Sequence, residues 1–247
     1  MHRFYAPSKN ISGGSLVIND KEQVGHISRV LHLKVHEEVS VFDDKNNDYL
    51  CLIKEITKGS VAMSIIKKRP GEVSGKLMIA IACAIPKNVK MDTIVDKLTQ
   101  LGVDEIMPLV TERVIVKLDK DKEAKRVSRW RKIALAAAKQ SQRSSQPRID
   151  NILSLKEALD KCGGFELRLF GALTGERRPL KEALSGARPK NIFVLIGPEG
   201  DFTPREAELI REAGCTGVSL GELVLRVDTA CIAALSFLRL YYQEKQL

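Results

Sequence analysis

Acidic residues are in short supply in this 247-residue chain: 31 Asp and Glu stand against 40 Lys and Arg, a net charge of +9. Such a balance excludes little but favours a polyanionic partner, and nucleic acid is the first candidate. Aromatic residues are scarce, at 5% with a single Trp, so stacking of successive unpaired bases on aromatic rings is not the expected mode of binding. Long apolar runs are missing. Leu77 to Ile85 and Ile192 to Ile196 are strand length, far below the roughly 18 residues of a spanning helix, and no membrane partner is expected. The first residues, Met1 to Pro7, hold no apolar signal core, so a cytoplasmic location is expected. The chain lacks Gly-x-x-x-x-Gly-Lys-Ser/Thr, an early Gly-x-Gly-x-x-Gly and Gly-x-Ser-x-Gly. ATPase, dehydrogenase and serine-hydrolase readings lose their support with them.

Metal chemistry is also poorly provided for. Cys51, Cys83, Cys162, Cys215 and Cys231 are widely spaced with no Cys-x-x-Cys pair, so they read as reduced, buried thiols acting as small hydrophobes. His32 and His36 have the i,i+4 spacing of a helical metal pair. The residues between and after them read instead as a turn entering a strand, with no third ligand, so no metal is expected.

What is present divides into two textures. Short strand-like runs at Ser15 to Ile18, Glu38 to Phe42, Tyr49 to Ile56 and Ser60 to Ile66 are separated by polar turns, which suggests a small β-barrel over residues 1–70. A polar stretch with Pro70, Gly71 and Gly75 reads as a linker. Over residues 76–247 buried strands at Leu77 to Ile85, Val103 to Val110, Leu167 to Phe170, Ile192 to Ile196 and Gly217 to Leu220 alternate with helical patterns. The helices are expected around Met91 to Leu101, Lys122 to Lys139, Thr203 to Ala213 and Thr229 to Tyr242. That alternation implies an α/β domain on a mostly parallel sheet.

Three segments could carry chemistry. In Leu195-Ile196-Gly197-Pro198-Glu199-Gly200 a buried strand runs into a Gly/Pro turn, followed by Thr203, Pro204 and Glu206 in the pattern of a capped helix start. It is either an ordinary strand-to-helix turn or a ligand loop, since ligands of α/β sheets sit beyond the carboxyl ends of strands. The segment Leu220-Gly221-Glu222-Leu223-Val224-Leu225-Arg226-Val227-Asp228-Thr229-Ala230 repeats the arrangement and leads into a helix rich in small residues, suited to core packing or to a dimer interface. Ala138-Lys139-Gln140-Ser141-Gln142-Arg143 follows a strongly basic helix able to neutralise phosphates.

These segments, taken together and in order, resemble the motifs of the RsmE family of the knotted SPOUT methyltransferases. The resemblance extends to His26-Ile27-Ser28-Arg29-Val30-Leu31, Leu101-Gly102-Val103, Thr111-Glu112-Arg113 and Arg129-Trp130. It implies a PUA-like N-terminal β-barrel that binds RNA and a C-terminal α/β domain with a deep trefoil knot. It also implies a homodimer that uses S-adenosylmethionine to methylate N3 of a uridine of 16S rRNA in the small ribosomal subunit. By the same resemblance Leu195, Ile196, Gly197, Gly200, Leu220, Gly221 and Leu225 bind the cofactor. Arg143 and Arg226 steady the uracil anion or a phosphate, Asp228 and Glu199 act as base or orienter, and Arg3, Arg29, Arg113 and Gln140 contact RNA. Capping of the following helices is the rival role for Glu199 and Asp228.

The sequence departs from the family pattern at Gln100, where Glu is common, at Glu222-Leu223 in place of Pro or Asn and a basic residue, at Asp228 in place of Glu, and at Lys34, where an Arg nearer Leu31 is usual. Two other functions stay open: an RNA-binding assembly protein without cofactor, favoured by Glu222-Leu223, and a SPOUT methylase of another RNA. The Gly-Pro-Glu-Gly loop argues against the first. The N-terminal barrel and central motifs argue against the second.

Overall fold

The structure, a computed structural model, describes residues 1–45, 47–70, 77–86, 90–113, 120–141, 143 and 145–243. Most of the expected linker, and Gln142 of the Gln-Ser-Gln-Arg motif, lie outside the described residues. The chain forms two compact units: Met1–Ser74 with Ala138–Gln146, and Gly75–Ala137 with Pro147–Leu247. Among the described residues no helix is long and apolar enough to cross a membrane.

The first unit holds β1 (Arg3–Tyr5), β2 (Ile11–Ser12), β3 (Ser15–Ile18), α1 (Lys21–Gly25), β4 (Glu38–Phe42), β5 (Asn47–Ile56) and β6 (Val61–Pro70). They form one six-stranded sheet in the order β1-β4-β5-β6-β3-β2, antiparallel except where β1 pairs with β4. Alternation along β3 buries Leu16 and Ile18, which join Val39, Val41, Cys51, Ile53 and Val61 in one core. Asp20 caps α1 through the Gln23 amide, at 2.9 Å. The Gln23 side chain then accepts from Tyr5 N and donates to Tyr5 O, at 2.9 and 3.0 Å, stitching α1 to β1. A π-helical turn, His26–Val30, follows α1. His32 and His36 both have left-handed backbone, φ 51° and 74°, so their i,i+4 spacing does not lie on a helix face.

The second unit begins with β7 (Met78–Ala84), α2 (Lys90–Gln100), β8 (Glu105–Val110) and α3 (Lys120–Gln140), whose last residues group with the first unit. Then come β9 (Arg148–Ile149), β10 (Leu153–Ser154), α4 (Leu155–Cys162), β11 (Leu167–Gly171), β12 (Arg178–Pro179) and α5 (Leu180–Ala183). The chain closes with β13 (Asn191–Ile196), α6 (Pro204–Glu212), β14 (Thr216–Ser219) and α7 (Val227–Gln243). The sheet is parallel throughout, in the order β10-β8-β7-β13-β11-β14-β12, with β9 beside β8. Both faces are covered. Ile79, Ile81, Ile192 and Val194 pack with α2 and α7, while Ala80, Ala82, Phe193 and Leu195 pack with α4 and α6. This is why β7 and β13 read as unbroken apolar runs.

Gly102, at φ 90°, ends the turn after α2 as expected from its place in the sequence. Arg239 of α7 reaches into the same corner. It donates to the carbonyls of Leu77 and Gly102 and pairs with Asp104 Oδ2 at 2.5 Å, while that oxygen also accepts from Ile79 N at 2.8 Å. Helix α4 has no counterpart among the helices expected from the sequence. Its signal was there: Ser154 and Glu157 form a reciprocal capping box.

All five cysteines are free and buried. Burial pushes the thiols of Cys51 and Cys215 up to about 12 and raises those of Cys162 and Cys231. Since the thiolate is the reactive form, a disulfide reagent at about pH 8 is expected to leave the folded protein unmodified and to titrate all five thiols after unfolding in guanidinium. A rapidly reacting thiol in the folded protein would contradict this packing.

Candidate active site

The carboxyl ends of β11, β13 and β14, with the start of α7, line an open cleft of about 720 Å³, a volume that includes space continuous with solvent. Sheet order places it. Strand β13 sits between β7 and β11, so the loops after β11 and β13 leave the sheet side by side, and β14 adds a third.

Glycines govern how the three loops leave their strands. A Cβ on Gly197 would meet the Phe202 ring at 2.9 Å, and one on Gly217 would lie 2.5 Å from the Glu176 carbonyl oxygen. Gly221 has φ 140° with open space where a side chain would be, which lets a ligand come close to its backbone. The Ser219 hydroxyl donates to the Gly221 carbonyl at 2.8 Å and steadies that turn.

Buried acceptors bind the loops together. Thr203 and Glu206 cap α6 reciprocally, with Pro204 in its first turn. Glu206, only 3% exposed, accepts from Thr203 N through Oε2 and from Glu112 N through Oε1, each at 2.9 Å. Arg113 donates to the Gly200 carbonyl and, at 3.3 Å, to the Asp201 carbonyl. Asp201 Oδ2 accepts from Leu173 N at 3.1 Å. Arg177 Nη1 donates to the carbonyls of Ala172 (3.1 Å) and Leu173.

Of the expected cofactor residues, Ile196, Gly197, Leu220, Gly221 and Leu225 line the cleft, and so does Glu199. Leu195 is fully buried inside the sheet, packed in the layer with Phe193, and Gly200 is exposed beside Arg113. Arg226 is exposed and Asp228 half-buried in the first turn of α7. Asp228 Oδ1 is buried with no hydrogen-bond partner among the described residues, which carries an energetic cost. Glu199 does not cap α6; Thr203 does.

Arg143 belongs to the first unit. Its carbonyl accepts from Arg3 Nε at 3.1 Å. Arg3 also pairs with Asp48 Oδ2 at 2.8 Å and lies over the Phe42 ring, so its side chain is 14% exposed and its guanidinium is held by the protein itself. Arg29 and Gln140 are exposed.

Sequence reasoning missed Gly171 to Leu173, Arg177 and Asp201 as walls of the cleft. The first had a readable signal, a buried strand ending in Gly as at Ile196-Gly197. Among the described residues no group of three or more His, Cys, Asp or Glu could hold a metal ion.

Removing the Glu206 carboxylate leaves the part-buried Glu112 and Thr203 amides without their acceptor, each a loss of about 1–2 kcal/mol. Glu206→Ala is therefore expected to lower stability by about 2–4 kcal/mol in urea unfolding. A change under about 0.5 kcal/mol would show that the clamp is not needed.

The RNA methyltransferase domain family model matches residues 74–239, and the RNA methyltransferase PUA domain model matches residues 18–66. The chain is 28% identical to ribosomal RNA small subunit methyltransferase E of Bacillus subtilis, covering 94% of this chain and 89% of that one. It is similar in structure to ribosomal RNA small subunit methyltransferase E from Neisseria gonorrhoeae bound to S-adenosyl methionine, with TM-score 0.85, 30% identity and 98% of each chain covered. A methyltransferase from Legionella pneumophila in complex with the cofactor SAM gives TM-score 0.84, 30% identity and 97% coverage of each chain. With its PUA domain, its parallel-sheet domain and the cleft at the ends of β11, β13 and β14, the chain belongs to the ribosomal RNA small subunit methyltransferase E family of RNA methyltransferases.

Proposed function

We propose that this chain methylates N3 of one uridine in 16S rRNA of the small ribosomal subunit, using S-adenosylmethionine in the cleft at the ends of β11, β13 and β14. The observation that carries the reading is the cleft itself. Its walls are apolar at Ile196, Leu220 and Leu225, it has an open glycine backbone at Gly221, and Glu199 and Asp201 line it. Such a lining suits a flat adenine against apolar surface and backbone, with the Glu199 carboxylate near a positive charge. When bound, the cofactor supplies a methyl group carried on a positively charged sulfur.

The chain's own residues have two tasks. Uracil N3 carries a proton at neutral pH, so the site must take that proton or steady the anion left behind. Arg143 and Arg226 are assigned to steadying the anion or a neighbouring phosphate. Asp228, with its unpartnered buried oxygen, and Glu199 are assigned to receiving or orienting the N3 proton. Orientation rather than covalent catalysis is the main demand of such a transfer. Residues 1–70 serve as the RNA-binding domain and residues 76–247 as the knotted methyltransferase domain. Exposed Arg29 and Gln140 contact RNA directly, while Arg3 and Arg113 act by holding the Arg143 and Gly200 segments. A homodimer, acting in the cytoplasm, completes the reading. Leu223 and Val224, 81% and 74% exposed beside the cleft, support it as surface suited to burial against a second copy.

The test incubates the protein with methyl-labelled S-adenosylmethionine and small subunits lacking the modification, with naked rRNA in parallel. Label recovered as N3-methyluridine is the expected result. Arg143→Ala and Arg226→Ala are each expected to lower transfer about a hundredfold, with cofactor affinity within about twofold. Wild-type transfer by either variant, at normal RNA affinity, refutes the role given to that arginine. No transfer to either RNA, with no cofactor bound, favours the non-catalytic assembly protein.

A further inference from the structure

We infer that Asp201 is a positioning residue for this site: its carboxylate ties the loop after β11 to the loop after β13 and so fixes the spacing of two cleft walls. The inference rests on the reading that the cleft binds S-adenosylmethionine. Asp201 has φ 60°, left-handed backbone that a side chain makes costly and that Gly adopts freely. Gly would serve the turn with no side chain, whereas Asp serves it through a local side-chain bond and has a second oxygen to spare for another bond. The carboxylate is what Gly lacks, and both of its oxygens are in use. Oδ1 accepts from Phe202 N at 2.9 Å, a local bond that helps hold the strained backbone. Oδ2 accepts from Leu173 N at 3.1 Å, across 28 residues of chain.

Leu173 and Asp201 both line the cleft. The Leu173 peptide is gripped from both sides, its N–H by Asp201 and its carbonyl by Arg177. One residue earlier, Ala172 N donates to Val218 O at 3.0 Å and anchors the loop to β14. Without the carboxylate, the chain beyond Ala172 keeps its sheet anchor but loses its link to the β13 loop. Ligand binding would then have to order that loop, and affinity falls as the ordering cost rises. Asp201 touches no reacting atom in this account. It acts through Leu173.

Substitutions separate positioning from general stability. Asp201→Gly removes the carboxylate and relieves the backbone. Asp201→Ala removes the carboxylate and keeps the strain. Asp201→Asn tolerates the backbone and keeps one acceptor. The full chain is measured three ways: thermal unfolding, amide hydrogen exchange at Leu173, and calorimetric titration with S-adenosylmethionine. Asp201→Gly is expected to keep or raise Tm, to speed Leu173 exchange at least about tenfold, and to weaken cofactor Kd about fivefold, the scale of one lost ordering hydrogen bond. Asp201→Ala should lose the same affinity with a lower Tm, and Asp201→Asn should stay within about threefold of wild type. The inference is overturned if Asp201→Gly binds within about twofold of wild type, if Leu173 exchange is unchanged, or if affinity follows Tm across the three variants. Failure of the wild-type protein to bind S-adenosylmethionine defeats the proposed function instead. Whether Asp201 ties the two loops is then decided by Leu173 exchange alone.

Discussion

Strand β13 is sealed on both faces. Phe193 and Leu195 lie in one apolar layer and Ile192, Val194 and Ile196 in the other, every one of them buried. Polar chemistry cannot sit along such a strand, because an unpaired polar group there would cost more than the strand's packing returns. It is displaced to the point where the chain leaves the sheet, at Gly197. Because β13 lies between β7 and β11 rather than beside its neighbours in sequence, that exit point abuts the exit of β11, and β14 follows next to it. The cleft is thus a consequence of strand order, and its apolar floor is the end of the core.

A cleft made of loop ends needs restraint, since loops are the least ordered part of a fold. Two carboxylates supply it here by accepting backbone N–H groups from segments remote in sequence. Glu206 joins the α6 cap to Glu112, and Asp201 joins the β13 loop to Leu173. Each bond is modest, about 1 kcal/mol net. Their value lies in geometry, because each one removes freedom that a ligand would otherwise have to remove. Asp228 is the counterpart: a half-buried carboxylate with one oxygen lacking any partner among the described residues.

Local patterns were legible in the sequence. The apolar runs of β7 and β13, the glycines closing them, and the Thr203-Pro204-Glu206 start of α6 all appear where the residues indicated. The turn read around His32 and His36 is there too, and the structure adds that both have left-handed backbone. Helix α4 was legible and overlooked, its Ser154 and Glu157 lying at capping-box spacing. What could not be read was partnership at a distance. The family resemblance implies RNA contacts for Arg3 and Arg113, and nothing in the sequence shows that their donors also reach Asp48, the Arg143 carbonyl and the Gly200 carbonyl. Charge is written in the sequence, but what neutralises it is set by the fold. Asp201 carried no sequence signal, because its meaning depends on Leu173, placed beside it by the pairing of β11 with β13.

The central claim is that three strand ends form the cofactor site. The most direct measurement is an amide hydrogen-exchange map of the wild-type chain with and without saturating S-adenosylmethionine. The account predicts slowed exchange in residues 171–177, 196–201 and 219–225 together, the segments that line the cleft. Binding with protection confined to any other part of the chain, or to only one of these loops, would contradict it.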